Sequence, residues 1–195
     1  YWKARDYERM LSMNFSNNVL ESIGDSHFAE LALDIVANCP IDIKRKHVLS
    51  MLRVAWALYM NGKRAQYEML LEELRELPEL SGDPDLMGEW LLLASYRSYP
   101  NIAKMTAVLK QAAVFFKGRC SRVILSSAPW CLGNYCVLTE LHTVPGEAER
   151  EAEELEEYIG LYSRLTGGHG SGADVLFRAE LAYHRGNLSE AEILA

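Results

Sequence analysis

The stretch Ala179-Glu-Leu-Ala-Tyr-His-Arg-Gly186-Asn-Leu-Ser-Glu-Ala-Glu-Ile-Leu-Ala195 decides the fold. It reads as a helix, a tight turn at Gly186-Asn187, and a second helix. The glycine supplies the left-handed conformation that a helix end often requires, and Asn187 is suited to cap the next helix. Small residues at Ala179, Ala182 and Ala191 let the two helices approach closely. The same pattern stands earlier, as Ala55-Trp-Ala-Leu-Tyr-Met-Asn-Gly62-Lys-Arg-Ala-Gln-Tyr67, with Tyr67 in the place of Ala191. A third copy opens the chain as Lys3-Ala-Arg5-Asp-Tyr-Glu-Arg-Met10-Leu, with Arg5 in the glycine's place. Helix, glycine turn, and an alanine-type position five residues on are the logic of a tetratricopeptide-type hairpin.

Working outward, the chain supplies further helical stripes separated by breakers. Tyr7, Leu11 and Phe15 share one face, and Gly24-Asp25-Ser26 ends that element and caps the next. Phe28, Leu31, Ile35 and Val36 make an apolar face that stops at Pro40, with no partner helix evident. Val48, Leu52, Ala55, Trp56 and Tyr59 then run to Gly62, and Tyr67, Leu70, Leu71, Leu74 and Leu77 run to Pro78. Ser81-Gly-Asp-Pro84 is a loop. Ile102, Met105, Leu109, Ala112 and Phe116 keep a 3-4-3-4 spacing after a turn around Pro100. Residues 118–130 show neither helical nor strand period, and their apolar centre predicts an ordered connector. Cys131 to His142 reads as helix, and Val144-Pro-Gly146 turns the chain into an acidic helix over 147–165.

Turns near Gly62, Pro100, Pro145 and Gly186 are spaced by roughly 41 residues, longer than the standard 34. The expected fold is all-α: antiparallel helical hairpins stacked as a TPR-like superhelical solenoid, forming one domain over 1–195. Within it, 1–40 hold incomplete N-terminal helices and 41–195 hold about four hairpins. One hairpin cannot bury both faces, so stacking is required, and the concave side of such an array is its usual binding surface.

The totals exclude several function classes. Hydrophobic residues make up 49% of 195, enough for a sizeable core, which argues against disorder. A net charge of −7 makes direct nucleic-acid contact a poor expectation. No apolar run is long enough to cross a membrane, and no signal peptide is visible. Tyr1 lies in a helical pattern, so the chain reads as a piece of a longer protein. Cys39, Cys120, Cys131 and Cys136 match no zinc or disulfide spacing and read as buried free thiols in a reducing, cytoplasmic setting.

Catalytic signatures are missing. The five histidines form no HExxH and no i, i+4 pair, and no GxSxG elbow occurs. Gly167-Gly-His169-Gly-Ser-Gly172 lacks the strand and GK[ST] ending of a phosphate loop. It reads instead as a sharp corner, with Gly168 and Gly170 as turn residues, Ser171 as a cap, and His169 in a local hydrogen-bonding role or a ligand contact. Seven glutamates between Glu147 and Glu157 read as a solvated outer face rather than a docking or metal site. Trp56, Trp90 and Trp130 with Tyr59, Tyr96, Tyr135 and Tyr162 could line a groove. At helical spacing they belong to the core, with Trp130 the exception at the end of a connector.

Three blocks carry a resemblance. They are 162–173 around the glycine corner, Arg178-Ala-Glu180, and Gly186-Asn-Leu-Ser-Glu-Ala-Glu192. Together with Glu30–Pro40 and Leu49–Tyr59 they resemble the large MalT-like regulators of the LuxR family. That resemblance implies a parent with a signalling ATPase, a winged-helix segment, a superhelical repeat domain and a DNA-binding helix-turn-helix. This segment would be the repeat domain, which senses a small inducer and licenses ATP-dependent self-assembly. No cofactor is expected in these residues; ATP and DNA would be bound elsewhere in the parent.

The sequence reading is therefore a non-catalytic sensor module binding an unknown inducer or partner protein, with the parent's other domains and self-association as further contacts. Candidate ligand residues are Trp130, His142, Tyr162 and His169. The rival reading is a protein-interaction scaffold without a small ligand; an enzyme fragment ranks below both.

Overall fold

The computed structural model describes residues 1–13, 26–77, 80, 82–128, 130, 132 and 136–195, excluding the side chains of 26–28. Phe15, Gly24, Asp25, Pro78, Ser81, Cys131 and Tyr135, on which sequence expectations fall, lie outside the described residues, as does the Phe28 side chain. The described residues contain no strand, in line with the all-α expectation. Their helices are α1 (Tyr7–Ser12), α2 (Ser26–Asn38), α3 (Ile41–Lys46), α4 (Val48–Met60), α5 (Arg64–Arg75) and α6 (Pro84–Ser95). After a 3-10 turn at Tyr96–Ser98 come α7 (Ile102–Phe116), α8 (Val137–Leu141), α9 (Ala148–Leu165), α10 (Ala173–His184) and α11 (Leu188–Leu194).

The three copies of the hairpin signature close with one set of backbone hydrogen bonds. In the first, Arg5 N–H donates to the Trp2 carbonyl and Asp6 N–H to that of Tyr1. Gly62 and Lys63 bond to Tyr59 and Leu58 in the same way, and Gly186 and Asn187 to Tyr183 and Ala182. All three turn residues have positive φ: 52° at Arg5, 69° at Gly62 and 79° at Gly186. Glycine adopts that conformation without a Cβ penalty, whereas Arg5 adopts it at some cost. Asn187 caps α11 by accepting from Glu190 N–H, as expected, and Asp6 caps α1 from Arg9 N–H.

Three pairs of successive helices pack along each other: α4 with α5, α6 with α7, and α10 with α11. Helix α9 lies against both α7 and α10, and α2 packs on α4 and α5. Helix α6 touches both members of the α4–α5 pair. Its backbone and side chains interlock with them: Tyr67 donates to the Leu93 carbonyl (2.5 Å) and Trp90 Nε1 to that of Leu71 (2.8 Å). Trp56, Tyr59 and Tyr96 meet ring to ring, with centroids 4.9–5.5 Å apart. Each large side chain buried there contributes about 1.5–3 kcal/mol, and aromatic pairs add about 0.5–1.5 kcal/mol.

Three local expectations change. Of the helix expected over 131–142, the described residues from Cys136 on are helical over Val137–Leu141, capped at Cys136, and this helix packs on α10 rather than forming a long hairpin arm with α9. Ser171 does not cap α10. The cap position is Gly172, and the Ser171 hydroxyl donates instead to the Gly168 carbonyl (2.8 Å), tightening the corner one step earlier. Cys39 is buried, but Cys120 is exposed, so only some of the thiols are core residues. Burial pushes the Cys39 thiol up to about 11, which keeps it protonated and inert.

The connector is ordered through its described part, as its apolar centre requires. Val123 and Ile124 are fully buried. A carboxylate under them holds the loop: Glu89 of α6 accepts from the Ser121 hydroxyl (2.5 Å) and Arg122 N–H (2.6 Å). Ser121 Oγ in turn accepts from Val123 and Ile124 N–H. Burial pushes the Glu89 carboxyl up, and these bonds only partly offset the shift.

Candidate functional site

The glycine corner between α9 and α10 brings two of the candidate residues together. Tyr162 is fully buried on α9 and His169 is 3% exposed. Tyr96 donates to the Tyr162 hydroxyl (2.7 Å), and that hydroxyl lies 2.8 Å from His169 Nδ1. The Tyr162 hydroxyl is thus bonded on two sides, to the Tyr96 hydroxyl and to the His169 imidazole. The chain of hydroxyls and imidazole ties the end of α6 to α9 and to the corner. Gly170, at φ +76°, makes room for it: a Cβ there would stand 2.9 Å from Leu132 Cδ1 and 3.1 Å from Tyr162 Cε1. Gly168, at φ +105°, faces open space. In this arrangement Tyr162 and His169 are packing and hydrogen-bonding residues with no surface open to a ligand.

Trp130 is near this corner but outside it. Its indole is 38% exposed, and Nε1 donates to the carbonyl of Leu132, whose side chain faces the Gly170 position. Of the described aromatic residues set aside as groove candidates, Trp56, Tyr96 and Tyr162 are buried to 1% or less and Trp90 to 8%. Trp130 is the exposed exception anticipated from its place in the connector.

His142 lies apart, at the opposite end of α9. Its Nδ1 bonds to Glu151, whose other oxygen accepts from Thr143 N–H, Thr143 Oγ1 and Val144 N–H at 2.8–3.0 Å. Glu151 is thus the one member of the acidic run that turns inward, at 7% exposure, and it pins the α8–α9 turn. Burial works to raise its carboxyl, but the bonds from His142 and Thr143 outweigh it and hold the group below its ordinary value. The other glutamates of the run stay at least partly in solvent, several paired with arginines, as with Arg150–Glu147 and Arg185–Glu149.

Sequence reasoning did not single out a basic cleft on the described surface. An open cleft of about 650 Å³ lies where α1, the α3–α4 junction, the start of α6 and the connector converge. Arg45, Lys46, Arg53 and Arg122 line it, with Asp83 the one acid among its described lining residues and Leu11, Leu49 and Leu86 as apolar walls. Asp83 itself is occupied in capping α6. The Arg53 guanidinium donates to the Arg122 carbonyl at 3.0 and 3.2 Å, which fixes α4 to the connector. Lys46 and His47 reach Glu8 at 3.4 and 3.3 Å, and Arg45 reaches Asp42 at 3.7 Å. Lys44, from the same basic run, turns away into the core to meet Glu73 and the Val36 carbonyl. The run Lys44-Arg-Lys-His47 was a visible signal in an acidic chain. Its union with Arg53 and Arg122 depends on tertiary packing. Such a cleft can concentrate an anion without doing chemistry on it.

No group of three potential metal ligands occurs among the described residues. None of the described helices is long and apolar enough to cross a membrane. Compared with protein-family models, curated proteins and solved structures, the chain matches none.

Proposed function

We propose that this chain is a non-catalytic sensor module of a cytoplasmic transcriptional regulator built on the MalT-like plan, and that it reads an anionic small molecule in the basic cleft. In this reading the helix pairs stack as a TPR-like superhelix, and inducer binding biases their packing toward a state that licenses ATP-dependent activation of the parent. The observation that carries it is the gathering of Arg45, Lys46, Arg53 and Arg122 around one open cleft in a chain of net charge −7. The cleft's cations come from the α3–α4 region and from the connector, so an anion bridging them would be sensitive to how those parts are seated. A ligand shifts such an equilibrium only by its preference for one arrangement. The repeated glycine turns and the 162–173 corner support the family part of the reading.

The test is thermal unfolding of the protein against sugar phosphates, nucleotides, dicarboxylates and their neutral counterparts. At a hundred times its dissociation constant an inducer stabilises by about 2.7 kcal/mol. A shift confined to anions, and lost in the Arg45→Ala/Lys46→Ala double variant, supports the reading. A neutral sugar that shifts the wild type and the double variant alike overturns the anionic assignment. The absence of any small-molecule shift favours the interaction-scaffold reading.

A further inference from the structure

The basic cleft also constrains the body of its ligand. Its cations have unequal duties. Arg53 is engaged with the Arg122 carbonyl, whereas Arg45, Lys46 and Arg122 meet the carboxylates of Asp42, Glu8 and Glu89 at 3.7, 3.4 and 3.9 Å. Their side chains are 45%, 64% and 50% exposed, so an anion can approach all three. Arg122 is held in place as well: its N–H donates to Glu89 and its carbonyl accepts from Arg53, which clamps the peptide carrying this guanidinium from both sides. A charge seated in advance suits an anionic head group.

The rest of the cleft lacks what a hydroxylated body needs. Ser12 and Ser50 supply the hydroxyls of its described lining, and both donate to backbone carbonyls, of Arg9 and Leu11, at 2.8 Å. The Asp83 carboxylate accepts from Asp85 and Leu86 N–H, and His47 is bonded to Glu8. Much of the remaining lining is apolar: Leu49 and Leu86 are half-buried, and Met13 is 45% exposed. A sugar hydroxyl pressed against these side chains loses water and gains no partner, which is unfavourable. Methylene or aryl groups in the same place only leave water, which favours binding.

We propose that the cleft takes a small anion with an apolar body, a medium-chain or aromatic carboxylate being the simplest member, with its head among Arg45, Lys46 and Arg122 and its body against Leu49, Leu86 and Met13. The proposal rests on the anionic reading of the cleft and narrows it. Sugar phosphates and nucleotides, whose bodies are hydroxylated, rank below such acids.

The experiment is calorimetric titration of the whole chain with butanoate, hexanoate and octanoate, alongside octanamide, glucose 6-phosphate and inorganic phosphate. Each added methylene should tighten binding about two- to fourfold, according to how fully it is buried. Octanoate should therefore bind about tenfold or more tightly than butanoate or glucose 6-phosphate. Octanamide should not bind, and the Arg45→Ala/Lys46→Ala variant should lose octanoate. Leu49→Gln and Leu86→Gln, both at half-buried positions, should each flatten the chain-length series. A flat series in the wild type overturns the proposal. So does octanoate binding that both leucine variants leave unchanged, since the chain would then lie elsewhere, or octanamide binding as tight as that of octanoate. Glucose 6-phosphate or phosphate binding as tightly as octanoate, and lost in the Arg45→Ala/Lys46→Ala variant, overturns the apolar body and leaves the anionic cleft standing. If none of these anions binds, the anionic reading of the cleft falls and the proposal falls with it.

Discussion

Gly170→Ala separates two costs that usually come together. The residue sits at φ +76°, where an L side chain is strained by about 1–2 kcal/mol. Its new methyl would also meet Leu132 Cδ1 at 2.9 Å and the Tyr162 ring at 3.1 and 3.3 Å. Both neighbours are fully buried, and Tyr162 is held by hydrogen bonds on both sides of its hydroxyl, so neither yields cheaply. Overpacking of this kind adds about 1–3 kcal/mol. The expected total is about 3 kcal/mol, or a fall of about 6–12 °C in Tm for a chain of this length. Gly186→Ala is the control: φ is +79°, but no atom lies within 4 Å of the new methyl, leaving the backbone cost alone, about 1 kcal/mol. Chemical denaturation of both variants gives the difference directly. A double variant with Leu132→Ala should recover about 1 kcal/mol of coupling, because the nearest clashing atom is gone. If Gly170→Ala and Gly186→Ala prove equally stable, the corner is not packed as described, and the burial of His169 loses its cause.

Glu151→Gln should lower stability by about 2 kcal/mol at neutral pH, since the carboxylate accepts several bonds at the α8–α9 turn. Its folded carboxyl is held below the ordinary value of 4.5, so its stabilisation is complete above that pH and fades as pH falls through the folded value. The variant should therefore flatten the acid limb of a stability–pH curve, and an unchanged limb would refute the assignment. Tyr162→Phe takes one partner each from Tyr96 and His169 inside the core and should cost about 1–3 kcal/mol in urea denaturation; a neutral result would mean the hydroxyl chain is not formed.

The helical character of the chain, its turns and most of its core were legible because they depend on local rules. Apolar spacing named the stripe Ile102, Met105, Leu109, Ala112 and Phe116, all buried in the structure. The glycine signature located three turns whose hydrogen bonds coincide, including one in which arginine takes the left-handed position. Local pattern failed where a residue's partner lies far along the chain. Glu151 and Glu153 look alike in a run of glutamates, and only the return of residues 142–144 turns one of them inward. His169 looked available in a glycine loop, yet Tyr162 and Tyr96 enclose it from two helices. The basic cleft needed Arg53 and Arg122, 69 residues apart, to meet. Periodicity reports which face a helix buries. Which charges then share a cleft is decided by packing between elements that no local pattern encodes.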